Sequence, residues 1–350
     1  MKNAVYYSKV SGGNEEKRVL ALENLLGKAR PFSAFKKEEF IPVKITIGDS
    51  DCVYNLSPSL VKTVIREIRV SGAKPFLFDT SVIYEGRRQN AVDHLTLVQH
   101  KGFELSKVGA PFIVADGVFG QDGKEIEIES RHIKKIKVPS FIGMVDNLVV
   151  LSHVTGHIVA GYAAAIKNVA MGMSCRQTKQ VQHSSLKPRV IEDKCTACGC
   201  CVRICPAAAI SFKGKKAFID ESLCLGCCEC LCACKFNSIY INWQEDPRLF
   251  AKRMADTAAF ILSQFKTKFF VNFALDITKE CDCISTKDER IVAPDLGILA
   301  SGDIASLEQA TLDLLSESSD FFRKEAVARP MLDYYLKNNP GCAGYELIKV

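Results

Sequence analysis

Long apolar runs are the first thing this sequence lacks. No stretch of about eighteen apolar residues occurs in its 350, and Met1 to Arg18 contains no apolar core of the signal-peptide kind. Membrane insertion is therefore not expected, and a cytoplasmic protein is. Basic blocks are missing too: the formal charge of +6 is modest and spread along the chain, which leaves no footprint for nucleic acid. Three motifs of familiar chemistry are also absent. There is no G-x-G-x-x-G for a dinucleotide, no G-x4-G-K-S/T for nucleotide phosphates, and no C-x3-C-x2-C for radical use of S-adenosylmethionine. Flavin stays open, because many flavin sites have no short motif. Against these absences stands a hydrophobic content of 47%, ample for a buried core, in a chain that does not demand more than two domains.

Cysteine is the residue in excess. Of sixteen, most crowd between Cys195 and Cys234. Cys195, Cys198, Cys201 and Cys205 are followed by Pro206, and the same C-x2-C-x2-C-x3-C spacing returns at Cys224, Cys227, Cys230 and Cys234. In such a run one short loop supplies three thiolates to one cubane iron–sulfur cluster, while the fourth Cys points away to the other. Two 4Fe-4S clusters are expected, one on Cys195, Cys198, Cys201 and Cys234, the other on Cys224, Cys227, Cys230 and Cys205. Paired zinc knuckles are the competing reading, but a tetrahedral zinc takes four ligands and has no use for this run given twice in tandem. A shift of 29 residues also superposes Ile210 on Ile239 and Ser211 on Tyr240, one ββ-linked half duplicated. Cys200, Cys228 and Cys232 fit neither register and read as small apolar packing beside the clusters, or as substitute ligands during assembly or damage. So dense a run points to a reducing interior.

The segment resembles bacterial-type ferredoxins with two 4Fe-4S clusters. Freestanding ferredoxins tend to be strongly acidic, whereas basic side chains slightly outnumber acidic ones between residues 191 and 243. Lys235, next to Cys234, should raise the potential of the cluster that Cys234 joins.

The flanks read as one α/β body. Val43–Ile47, Pro75–Phe78, Phe112–Ala115 and Leu148–Leu151 are continuously apolar, as buried parallel strands are. Ser57-Pro58 starts a helix with Leu60, Val61, Val64, Ile65 and Ile68 on one face. After the cysteines, Asp246-Pro247 opens a helix bearing Phe250, Met254, Ile261 and Phe265. Phe269–Leu275 and Leu296–Ala300 read as strands, and Asp303 caps a helix with Leu307, Ala310 and Leu314. The expectation is a mostly parallel sheet body (1–190 and 244–350) with an inserted ferredoxin-like α+β module (191–243).

Ligands bind outside the carboxyl ends of parallel strands. The residues just after the proposed strands are Asp49, Asp79, Asp116, His153 with His157, Asp276 and Asp303, all expected at one rim, with Cys281, Cys283, Cys175 and Arg176 within reach. Capping and turn roles account for many of the aspartates. For His153 and His157, near the start of a helix, a catalytic general-acid or metal role competes with capping; with Cys281 and Cys283 they form the candidate set for a third metal site. Lys44 lies inside an apolar strand, where an ammonium needs a partner such as Asp79 or a functional anion. Lys167-Asn168 and Arg176 are further donors for an anionic ligand.

These residues resemble the uncharacterised Fe-S centre proteins built on domain of unknown function 362. The matching stretches are Val43–Gly48, Asp79 with Gly86–His94, Leu151–His157, Gly161–Asn168 with Met171-Gly172, the ferredoxin insert, Cys281–Cys283, and Asp295–Ser301. Two departures stand out: Thr46-Ile47-Gly48 replaces a His-Phe-Gly, and Lys235 replaces the usual Pro after the second run. The resemblance implies the architecture and no settled activity. An oxidoreductase or oxidoreductase component is expected, in which the clusters pass single electrons between a redox partner protein and a small-molecule substrate or metal at the rim. The alternative is a non-catalytic carrier, or a factor handling Fe-S clusters or metals.

Overall fold

Polar caps and apolar stripes set the helices. Ser57 accepts the Leu60 amide at 3.4 Å and Pro58 opens the helix Pro58–Val70, whose Leu60, Val61, Val64, Ile65 and Ile68 are all buried. Asp246 and Asp303 cap Pro247–Ser263 and Ile304–Ser318 by accepting the Arg248 and Ser306 amides. Phe265 lies beyond the end of Pro247–Ser263 and is still buried. The computed structural model describes residues 2–10, 12, 14–184, 187–226, 228–241, 246–283, 288–324, 329–339 and 344–350, the side chains at 232 and 324 apart.

These helices cover an eight-stranded sheet in the order Tyr345–Lys349, Asn3–Lys9, Gly297–Ser301, Thr267–Ala274, Asn147–His153, Phe40–Lys44, Lys74–Asp79, Phe112–Val114. Gly297–Ser301 pairs antiparallel with both neighbours and every other pairing is parallel, so the sheet is mostly parallel. One expectation changes here. Because Gly297–Ser301 runs against the rest, Asp303 sits at the opposite edge from Asp49, Asp79, Asp116, His153 and Asp276, and its carboxylate caps a helix.

The central strand Asn147–His153 has Leu148 and Val150 on one face and Val149 and Leu151 on the other, each joining a separate apolar cluster. One cluster packs under helices Glu15–Ala29, Pro58–Val70 and Ala91–His100, the other under Ala165–Gly172, Pro247–Ser263 and Ile304–Ser318. The expected strand Val43–Ile47 is instead Phe40–Lys44: Ile45 and Ile47 are fully buried, but the ladder ends before them and the chain runs on as the loop to Asp49. His157 also departs from expectation. It lies in a short hairpin, Thr155–His157 with Gly161–Ala163, and the helix begins only at Ala165. Gly161, at φ +67°, supplies the left-handed residue of that turn.

The cysteine-rich segment forms its own small unit. Arg189–Val190 pairs antiparallel with Ile239–Tyr240, Ile210–Lys213 pairs with Lys216–Ile219, and the short helices Cys200–Ile204 and Glu229–Ala233 pack against them. The 29-residue repeat extends to the backbone: Ala197, Gly199 and Ala208 have positive φ, as do Gly226, Cys228 and Asn237.

Candidate functional site

The two cysteine runs interlock. One hollow in the module is lined by Cys195, Cys198, Cys201 and Cys234, with Cys200 and Phe236 beside them. A second is lined by Cys224, Cys230 and Cys205, with Cys228 and Ile219. Cys227 and the Cys232 side chain lie outside the described residues. In each hollow the fourth Cys of one run stands with the first and third of the other. Backbone amides aim at the sulfurs. Ala209 N–H donates to Cys205 Sγ at 3.3 Å and, one repeat later, Ser238 N–H donates to Cys234 Sγ at 3.2 Å; the Ala217 and Gly226 amides reach Cys195 and Cys224. Amide donors directed at sulfur suit thiolate ligands, and this donor set fits a cubane cluster in each hollow.

A larger cavity of about 500 Å³ lies where the rim of the sheet meets the module. The carboxyl ends of two parallel strands contribute Asp79 and His153 and the loop after a third contributes Thr46, the helix Ala165–Gly172 contributes Lys167 and Asn168, the helix Arg176–His183 contributes Lys179 and His183, and the module contributes Leu231 and Asn237. His157, Cys281, Asp282 and Cys283 complete it.

Buried polar bonds hold this wall. Lys44 is fully buried and does not face the cavity: its ammonium pairs with Asp79 at 3.0 Å and donates to Ile45 O at 2.7 Å and Asn168 Oδ1 at 2.6 Å. Burial lowers the Lys44 pKa against the pull of Asp79. Asp79 also takes Arg88 Nη1 at 3.0 Å, so one carboxylate offsets two cations. Asn168 donates to Leu151 O and Ser152 Oγ of one strand while its Oδ1 accepts from Lys44 of the neighbouring one, joining the two through one amide. Gly172 makes room for the lysine, since a Cβ there would fall on Lys44 Cε and Nζ. The N-cap of Ala165–Gly172 is Ala164, which has no side chain for the task; Glu308, from another helix, accepts the Ile166 amide at 3.0 Å instead.

Two ammonium groups stay charge-poor. Burial, with Arg88 nearby, pushes Lys167 down to about 7, and burial pushes Lys179 down to about 8 against the pull of Asp116. Lys179 donates to Thr80 Oγ1 at 2.7 Å, and Lys167 stands 3.1 Å from Cys281 Sγ and 3.0 Å from Cys283 Sγ. Cys281 and Cys283 are joined to each other as a disulfide.

The residues expected for a third metal site, His153, His157, Cys281 and Cys283, all line this cavity. His153 Nδ1 faces the Asp282 carboxylate at 2.8 Å and Nε2 faces Leu275 O at 2.8 Å, so both ring nitrogens stand beside acceptors. His157 Nδ1 accepts the Val159 and Ala160 amides, and its ring stacks on Phe250. Among the described residues no group of three or more His, Cys, Asp or Glu side chains is placed to hold one metal ion.

Other predicted residues take supporting places. Asp276 is held by Arg18 at 2.6 Å, Asp116 accepts the Ser81 amide at 3.0 Å, and Asp49 accepts the Ser50 and Arg87 amides. Cys175 is fully buried, its thiol pushed up to about 12 by that burial. Arg176 ties body to module: buried itself, it pairs with Glu229 and donates to Cys228 O. Sequence reasoning missed Lys179 and His183. Their signal was present, since Arg176, Lys179 and His183 recur at helical spacing on one face. Arg88, Asp282 and Arg18 carried no such signal, because tertiary pairing alone selects them.

Residues 41–313 match the family model described as domain of unknown function (DUF362). The chain belongs to that family. The cysteine-rich unit falls inside the DUF362 match, so the family's domain surrounds it. Shorter likenesses accompany it. A putative electron transport protein, YsaA, of Escherichia coli strain K12 is 36% identical over 62 residues, covering 15% of this chain and 40% of that protein. A ferredoxin-like protein in the nif region of Rhizobium leguminosarum bv. trifolii is 41% identical over 39 residues, 11% of this chain and 61% of that one. The DUF362 chain thus spans less than two thirds of either relative. Among solved structures, the lactate racemase apoprotein from Thermoanaerobacterium thermosaccharolyticum aligns with TM-score 0.44 and 12% identity over 86% of this chain and 54% of its own. A Thermotoga maritima structural-genomics protein aligns with TM-score 0.45 and 12% identity over 94% and 60%. No helix of the described residues is long and apolar enough to cross a membrane.

Proposed function

We propose that this DUF362 protein is an iron–sulfur redox protein that moves single electrons between a partner and a small anionic molecule held in the rim cavity. The observation that carries the reading is the interlocked pair of cysteine hollows beside a cavity to which the same module contributes Leu231 and Asn237. Cys195, Cys198, Cys201 and Cys234 would hold one 4Fe-4S cluster, and Cys224, Cys227, Cys230 and Cys205 the other. Bound clusters supply one-electron transfer. The ferredoxin-like relatives support the same chemistry for the matched stretches.

The rest of the chain binds and orients. Burial weakens the charge on Lys167 and Lys179, and an anion bound in the cavity would hold both in the ammonium form, where low dielectric strengthens the contact. Asp79 is taken up by Lys44 and Arg88 and Asp282 by His153, which leaves Lys167 and Lys179, in a lining that also holds Glu85 and Glu280, to meet a carboxylate or phosphate. His157, an acceptor at Nδ1 and kept neutral by burial, carries its proton on Nε2 as a hydrogen-bond donor. The cytoplasmic setting expected from the cysteine usage belongs to this reading.

Anaerobically purified protein should contain about eight irons per chain and give the EPR signal of two interacting reduced clusters with dithionite. Zinc in place of iron would overturn the proposal. Iron with no anion binding to the cavity would leave a carrier. Replacing Lys235 by Gln should lower one of the two potentials in an EPR-monitored redox titration, since it removes a positive charge beside Cys234; two unchanged potentials would refute that electrostatic assignment.

A further inference from the structure

The Cys281–Cys283 pair stands where neither packing nor cluster ligation accounts for it. Both residues line the rim cavity, away from the two cysteine hollows. A bond across one intervening residue closes almost the shortest loop a chain can make, so it adds little of the loop-entropy stabilisation that structural disulfides give. The surroundings instead fix this turn at each of its three residues. Asp282 is held by His153, the Cys283 carbonyl accepts Arg88 Nη2 at 3.2 Å, and Lys167 Nζ lies at 3.1 and 3.0 Å from the two sulfurs. One ammonium at near-equal distance from both sulfurs stabilises an extra electron on either of them.

We propose that Cys281 and Cys283 form a redox-active disulfide–dithiol pair, the first acceptor of electrons arriving through the module, with Lys167 as its proton donor. This rests on the iron–sulfur reading above. Two electrons, delivered singly from a low-potential one-electron donor protein through the module, break the S–S bond. Lys167 protonates one sulfur and cavity water the other, giving two thiols. The dithiol returns to the disulfide by thiol–disulfide exchange with a small anionic disulfide in the cavity: one thiolate attacks the substrate sulfur, the second displaces it, and the substrate leaves as two thiols.

The test is a stoichiometric anaerobic titration of the full chain with dithionite, sampled into iodoacetamide and read by peptide mass spectrometry at Cys281 and Cys283. Wild type should take up about four electrons per chain, one for each cluster and two for the pair, and the two cysteines should be alkylated only after reductant is added. The double variant Cys281→Ser, Cys283→Ser should keep its iron and take up about two. Lys167→Gln should slow alkylation of the pair on the order of a hundredfold while cluster bleaching proceeds unchanged, and Lys167→Arg, which keeps the positive charge but does not release its proton, should stay slow as well; a Lys167→Arg rate equal to wild type would overturn the proton-donor role. Equal electron uptake by wild type and double variant, or full alkylation before any reductant, overturns this inference with the iron count intact. A chain without iron overturns the functional reading instead. The arginine and glutamine variants, neither of which touches a cluster ligand, keep the test open where serine substitution disturbs folding.

Discussion

Glu308 is fully buried, and that burial pushes its carboxyl up to about 7 from the ordinary 4.5 while its Oε1 caps the helix that presents Lys167 and Asn168. A carboxyl raised by folding is protonated in the folded chain first, so its stabilising effect is complete below the unfolded value and is lost as pH rises through about 7. The shift corresponds to about 3 kcal/mol. Glu308→Gln keeps the acceptor and removes the titration; its urea midpoint should therefore hold between pH ~5 and ~7.5 where wild type falls. Parallel profiles would show that the carboxyl does not titrate there. Gly172→Ala makes a second case, because the new methyl displaces the Lys44 ammonium from Asp79 and Asn168. A buried pair broken in this way costs about 3–5 kcal/mol, visible as a lower melting temperature, and an unchanged melt would mean that the lysine has another berth. At this scale the sequence was informative wherever a residue contradicts its neighbours. Lys44 in an apolar strand announced a buried partner, and the cysteine spacing announced interlocked ligand sets. Arg88 looked ordinary, since its meaning comes from burial beside residues distant in the chain.

The helix Arg176–His183 is the element that joins body, cavity and module. Its first residue pairs with Glu229, and Lys179 and His183 line the cavity on the same face. Arg176→Ala strands the Glu229 carboxylate, half-desolvated, against Cys228 and should loosen the junction by about 3 kcal/mol. Hydrogen exchange should then rise in Glu229–Ala233 and leave Asn147–His153 protected; no rise at Glu229–Ala233 would show that apolar contacts alone hold the module. Elements buried on two faces were readable from their apolar runs, as Lys74–Asp79 and Asn147–His153 illustrate. The edge strands Asn3–Lys9 and Tyr345–Lys349 were not, because partial exposure mixes polar side chains into them. Strand direction was hidden as well. The residues of Gly297–Ser301 pack equally well whichever way the strand runs, and only the pairing with Thr267–Ala274 shows it antiparallel, which moved Asp303 to the far edge.

For the molecule as a whole, the contrast between its parts sets a prediction. The body buries two extended apolar clusters, whereas the module's own core has few members and counts Cys201 and Cys230 among them. Clusters holding those cysteines would complete that core, so stripping iron with a chelator should unfold the segment from Arg189 to Tyr240 while the eight-stranded sheet persists. Two separate transitions in hydrogen exchange or limited proteolysis are expected; a single cooperative loss would mean the body depends on the module. The pairing of Arg189 with Tyr240 brings both ends of the insertion together, and Arg176 clamps its other side through Glu229. Under the proposed relay this double attachment has a kinetic consequence. Donor and acceptor never part, so the internal step is first order, indifferent to dilution and viscosity, and only the encounter with the external partner depends on concentration.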